Sequence, residues 1–326
     1  MERDSRLDSL KGFLIILVVI GHVITVLDNV NVINHAVMGL IYSFHMPLFI
    51  LISGYLTKPS SQQSERKMWR NVLNLMVTIV IFHLLTACRL YVTGKDPVEG
   101  LLDFPHGILW YLMCLVYWKI IFYYTPRALV DRPVLYLSIA FVISLLSGLT
   151  HLGNLLSIQR ALNFYPFFLM GHYIHQGKIN NKWLNCNMLH LAIIIVLLPL
   201  IFWLYPRCGR VLNGADHYPF TEIPQKAAIL ICSTALTLLL FNLRCDIKWL
   251  RPIGKDSLFY YLYHFFILML VVVPAVEYFN LPRNLAFVLL YTAIIMCILL
   301  LMHKVKFLRW LTHPTAVSGE RKSQRQ

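Results

Sequence analysis

The chain has 326 residues, of which 58% are hydrophobic and only 13% charged, and its mean hydropathy is +0.64. A soluble domain carries about a quarter charged residues, so this chain lacks the polar surface to cover a core in water, and a bilayer has to supply the missing solvent. The formal charge of +14 does not indicate a nucleic-acid partner, because the basic residues cluster between apolar runs, where they set membrane orientation.

A helix crosses a bilayer with about 20 apolar residues. Ten such runs follow one another, at 12–28, 36–56, 72–93, 107–124, 133–149, 158–175, 189–206, 226–243, 257–275 and 284–303. The first follows a basic start, but no small-residue cleavage site comes after it; the chain continues as Leu27-Asp28-Asn29, so it is read as a retained span and not as a signal peptide. The sixth is the least apolar, interrupted by Gln159, Arg160 and Asn163. An even number of spans places both termini on one side. Taking that side as cytoplasmic gathers most of the basic residues inside, among them Arg3, Arg6, Arg66, Lys67, Arg70, Lys119, Lys248 and Arg251, as the positive-inside rule requires. The expected fold is therefore an all-α integral membrane protein of about ten transmembrane helices with both termini cytoplasmic. A transmembrane domain over 1–310 is followed by a flexible basic cytoplasmic tail over 311–326. The longest outer segment, 207–225, is too short to fold alone. Seven cysteines occur without a CxxC pair or metal-ligand spacing, and those in apolar runs read as small hydrophobes.

Ionisable side chains inside a span are costly and call for a function or a partner. Asp8, Lys11 and His22 are separated by 3 and 11 residues. At about 100° and 1.5 Å per residue, Lys11 and His22 share a helix face to within about 20° and lie about 16 Å apart. Asp8, one turn below Lys11, can pair with it. Alone, Lys11 reads as a snorkelling anchor and His22 as a packing hydrogen bond; their common stripe favours chemistry. In the second span His45 enters to a depth similar to that of His22, Pro47 removes a helix hydrogen bond, and Gly54 permits close packing. Two imidazoles meeting in mid-membrane make an acid–base pair. Trp110 opens the fourth span, either as part of an interfacial aromatic belt or as a ligand contact. In the ninth span Ser257 is a reasonable N-cap and His264 lies about two turns inside. His172 and His175 have no third ligand nearby in sequence, so no metal is expected. Neither a Gly-rich phosphate loop nor a GxSxG elbow occurs.

These residues also carry a resemblance. Arg6-Leu7-Asp8-Ser9-Leu10-Lys11-Gly12 followed by His22 resembles the signature of the acyltransferase-3 family, Arg or Lys, ten residues, then His. The stretch Phe44-His45-Met46-Pro47-Leu48-Phe49 to Ser53-Gly54-Tyr55-Leu56 is similar to that family's second-span motif. Trp110-Tyr111-Leu112, and Ile253-Gly254-Lys255-Asp256-Ser257-Leu258 to Tyr261-Leu262-Tyr263-His264, sit where similar patterns are expected. The compact, fucose 4-O-acetylase-like members are the nearest pattern. The resemblance implies a ten-helix bundle that moves an acetyl group from cytoplasmic acetyl-CoA to a hydroxyl of a glycan or lipid-linked sugar. It implies His22 and His45 as catalytic residues, and Lys11, Asp8, Arg66, Lys67 and Arg70 as the docking site for CoA. Trp110, Arg160, Asn163 and His264 are expected on the acceptor side, in a plasma or inner membrane. A glycan or lipid transporter without bond chemistry is the rival reading, set apart by whether acetyl-CoA is consumed.

Overall fold

A computed structural model describes residues 4–27, 32–59, 63–105, 107–179, 192, 196, 199–200, 214–243 and 246–314. Among the described residues the chain is helical throughout, without a strand. The elements are α1 Ser5–Val26, α2 Val32–Tyr55, α3 Glu65–Val92, α4 Pro97–Leu102, α5 Trp110–Tyr124, α6 Arg127–Val130, α7 Pro133–Leu146 and α8 Ile158–His175. After these come α9 Ile223–Asn242, α10 Arg251–Lys255, α11 Ser257–Ile267, α12 Val273–Tyr278, α13 Leu285–Met302 and α14 Lys306–Thr312. Seven helical stretches among the described residues are long and apolar enough to cross a membrane: Ser5–Val26, Ala36–Tyr55, Glu65–Val92, Gly100–Tyr124, Phe220–Asn242, Ser257–Tyr278 and Leu285–Met302. The run expected at 133–149 is covered by a shorter apolar helix, Pro133–Leu149. The polar-interrupted run 158–175 coincides with α8. The run at 189–206 and the tail beyond 314 lie outside the described residues.

Apolar side chains face both ways in this bundle. Leu14, Ile15, Leu48, Ile50, Phe168 and Leu262 are fully buried, while Leu73, Val80, Leu84, Val142, Leu289 and Leu301 are exposed. That pattern suits a lipid solvent. In lipid, helices associate through close packing and interhelical hydrogen bonds more than through burial of oil from water. Two seams provide the close packing. A Cβ at Gly54 would overlap the Phe168 carbonyl, and one at Gly171 the Leu51 carbonyl, so α2 and α8 touch backbone to backbone. In the same way Gly254 lies on the Asp8 carbonyl and Gly12 on that of Leu250, which clamps α10 to the start of α1. The Ser5 hydroxyl bonds Asp246 at 2.8 Å, and the Ile247 amide donates to Ser9 at 2.9 Å, closing the same end. The beginning of α3 meets the end of α5 there, through Tyr124 and Glu65 at 2.7 Å. This end also carries Arg66, Lys67, Arg70, Arg251 and Lys255 and is called the basic end below.

Pro47 sits inside α2 and cannot donate to the carbonyl four residues back, which is that of Ser43. Ser233 of α9 supplies the missing bond, its hydroxyl donating to the Ser43 carbonyl at 2.6 Å. The proline thus both opens the helix ladder and fixes a neighbouring helix against it. Similarly, the indole of Trp118 donates to the Ala161 carbonyl at 2.8 Å, joining α5 to α8 near Pro166.

Candidate functional site

A cavity of about 310 Å³ lies where α1, α2, α5, α8 and α11 converge. His22 reaches it from α1, one turn beyond Val18 on the same face; Tyr42, His45 and Met46 reach it from α2. The connection before α5 adds Asp103, Pro105, Gly107 and Ile108, and Trp110 opens α5 at its rim. Asn154, Arg160 and Phe164 come from the α7–α8 region, and Tyr261 and Phe265 from α11.

The imidazoles are held in defined tautomers. His45 Nδ1 lies 2.7 Å from the Ile41 carbonyl of its own helix. A carbonyl only accepts, so Nδ1 carries the proton and Nε2 keeps a lone pair. His264 repeats the device, with Nδ1 donating to the Tyr261 carbonyl at 2.6 Å. Its ring is 0% exposed and its Nε2 has no hydrogen-bond partner among the described residues. The His22 ring stands 5.2 Å from the His264 ring and 5.7 Å from Phe265. On the far side, the Tyr42 ring meets His45 edge-on at 5.0 Å, and the Tyr42 hydroxyl is 3.3 Å from Thr25 Oγ1 on α1. The structure therefore brings together two imidazoles facing one space, with a third behind them.

The wall opposite is cationic and aromatic. The Arg160 guanidinium lies 5.3 Å over the Trp110 ring, which in turn stacks on Phe164 at 5.5 Å. Such stacking orients the guanidinium over the aromatic face. Below this wall Ser53 and Tyr111 share a hydrogen bond of 2.7 Å, and Tyr261 donates to the Ile108 carbonyl. Ser53 is spent on this contact, in keeping with a packing role.

Of the residues expected from sequence, His22, His45, Trp110 and Arg160 line this cavity and His264 abuts it. Asn163 does not line it. Its side-chain oxygen accepts from Lys226 at 2.5 Å, and it borders a separate small pocket with Tyr42, Pro47 and Ser233. Lys11 lies at the basic end, with its ammonium 3.0 Å from Asp8, and both side chains are about a tenth exposed. Arg66, Lys67 and Arg70 are exposed on the first turns of α3. Tyr42, Asp103 and Asn154 were not singled out from sequence. Tyr42 precedes His45 by three residues and so shares its face, a signal that was there to be read. Asp103 and Asn154 sit in connections where no periodicity marks them. Among the described residues no three or more His, Cys, Asp or Glu side chains are grouped to hold a metal ion.

A family profile described as an acyltransferase domain matches residues 4–303. The nodulation protein NolL of Sinorhizobium fredii (strain NBRC 101917 / NGR234) is 32% identical over 193 residues. That alignment covers 54% of this chain and 50% of the relative, so the chain matches about half the relative's length. No solved structure matches.

Proposed function

Since the chain belongs to the acyltransferase-3 family, we propose that it is a membrane-bound O-acetyltransferase. It moves acetyl from cytoplasmic acetyl-CoA to a hydroxyl of a cell-envelope or secreted glycan. The observation that carries this reading is the cavity in which His22 and His45 meet Arg160 and Trp110. In the proposed arrangement the chain has ten spans, with the basic end and both termini in the cytoplasm, in a plasma membrane or an inner membrane where there are two. Lys11 with its partner Asp8, and Arg66, Lys67 and Arg70, attract the anionic donor to that end. The acetyl thioester rises to the level of His22, while the sugar enters over Trp110 and Arg160 from the other side.

His22 acts as general base. It takes the proton from the acceptor hydroxyl as that oxygen bonds to the thioester carbonyl carbon. The tetrahedral oxyanion forms in a site lined by Arg160 and by Tyr42, groups of the kind that stabilise developing negative charge. The carbon–sulfur bond then breaks, and the proton held on His22 passes to the departing thiolate, giving the ester and free CoA. His45, fixed by its Nδ1 bond to Ile41, presents Nε2 as a second base beside the first. His264 backs the ring of His22 and sets its plane. Asn163, bonded to Lys226 outside the cavity, has no place in this scheme.

The test is His22→Ala against wild type at matched protein level, with O-acetylation of surface and secreted glycan read by mass spectrometry. Loss of a general base costs about 10²–10⁴-fold in rate, so acetylation is expected to vanish while the glycan is still exported. Acetylation that persists while export fails sinks the enzyme reading in favour of a transporter.

A further inference from the structure

A second cavity, of about 330 Å³, opens toward the basic end. α3 lends it Asn71, Asn74 and Thr78, at i, i+3 and i+7, a polar stripe along one face of the helix. α5 adds Lys119, the one cation in a helix of sequence WYLMCLVYWKIIFYY. Thr312 and His313, at the end of α14, close the space. The α14 end is tied down by the Tyr263 hydroxyl on the Leu308 carbonyl at 3.1 Å and by Thr78 on the Thr312 carbonyl at 3.4 Å.

Lys119 differs from other lysines of the bundle. Lys11 has Asp8, Lys178 has Asp131 and Lys226 has Asn163. Lys119 is half-buried, and among the described residues it makes no hydrogen bond or ion pair. Among the described residues no acidic side chain lines its cavity, and Asp256, the carboxylate whose field reaches His313, is engaged by His303 at 2.8 Å. An ammonium among side-chain amides, with no carboxylate in the described lining to neutralise it, is the chemistry of a phosphate site.

The two cavities share helices. On α5, Trp110 lines the first and Lys119 the second, nine residues or about 13 Å apart along the axis. On α11, Leu258 lines the second, while Tyr261 and Phe265 line the first. They are stacked along the bundle, the phosphate-like site nearer the basic end and the imidazoles above it. We propose that the second cavity seats a phosphate of the acyl donor, with Lys119 as its counter-ion. The pantetheine arm of the donor then runs along α5 and α11 toward His22. This rests on the acyl-CoA reading given above. A phospholipid headgroup offers the same phosphate chemistry, and the experiment separates the two.

The full chain is placed in phosphatidylcholine nanodiscs and equilibrium binding of radiolabelled CoA, which cannot turn over, is compared for wild type, Lys119→Met and Lys119→Arg. Lys119→Met is expected to weaken CoA binding about tenfold or more, with Lys119→Arg keeping most of it. Pantetheine, which has no phosphate, is expected to bind all three alike. Asn71→Leu, on an accessible turn of α3, is a second variant should Lys119→Met fail to fold; it is expected to weaken CoA binding severalfold and leave pantetheine unchanged. Equal CoA affinity in wild type and folded variants overturns the proposal while leaving the donor reading intact. Absence of CoA binding by wild type overturns the donor reading itself, and the proposal with it. If the variants bind CoA normally but lose phosphatidylglycerol retained from mixed nanodiscs, the site belongs to a lipid headgroup and the proposal fails.

Discussion

At the start of α1, Asp8 holds Lys11 at 3.0 Å, and Gly12 and Gly254 press the helix onto α10. About three turns further along, the same helix turns His22 toward a cavity of about 310 Å³, beside imidazoles whose Nε2 lone pairs are uncommitted. In the first region polar groups are consumed by each other; in the second, ring nitrogens of the imidazoles are left available. Away from water an unused acceptor is a cost. The fully buried His264 Nε2, without a partner among the described residues, is the kind of position that the proposed mechanism would keep for chemistry. The Asp8–Lys11 pair marks one where each charge is held in place by the other.

The two regions should therefore fail differently. Lys11→Met takes the ammonium away from the Asp8 carboxylate, and breaking a buried pair from one side costs about 3–5 kcal/mol. A large fall in the unfolding midpoint in detergent is expected, and Asp8→Asn/Lys11→Met should recover most of it. A double variant that folds well yet binds CoA weakly is the result expected of the donor role proposed for Lys11; one that folds well and binds CoA normally would leave the pair to assembly alone. His264→Phe should behave in the opposite way. It keeps a ring against His22 and removes the acceptor nitrogen, so acetylation is expected to fall about tenfold, less than for loss of the general base itself, at an unchanged midpoint. A normal rate with a lowered midpoint would move His264 to the packing side.

The smallest effect belongs to Asp246, outside the spans at the basic end. Arg251 donates to its carboxylate at 2.7 and 2.5 Å and Ser5 at 2.8 Å, and these bonds, Arg251 first, hold the carboxyl below the usual range. A carboxyl depressed in the folded state stabilises it above the unfolded pKa, and that contribution is lost as pH falls through the folded pKa. Asp246→Asn is expected to lower the unfolding midpoint slightly near neutrality and not at all in acid below that folded value. A deficit that persists in acid would assign the site to packing.

Spans were legible because apolar length is a local property, and α1, α2, α3, α5, α9, α11 and α13 fall on runs read from composition alone. The shared stripe of Lys11 and His22 was legible because both sit on one helix. Whether His22 meets His45 is a question of two helices, and their similar depth in the chain answered it. Asn163 shows where this reasoning stops. It lies one turn from Arg160, yet Arg160 faces the cavity and Asn163 faces Lys226. That choice is made by a lysine more than sixty residues away, and helical periodicity carries no record of it. Gly54 was read as a close-packing residue, but only the crossing of α2 over α8 tells which carbonyl it admits.

The two glycine seams have a mechanical consequence. Contacts of backbone on backbone leave little room for sliding, so α1 with α10 and α2 with α8 behave as two stiff blocks. His22 rides on the first block and His45 on the second. Any rocking between the blocks is converted into a change in the separation of the two rings. The separation of the two imidazoles is thus a coordinate of the whole bundle and not of the two helices' side chains alone.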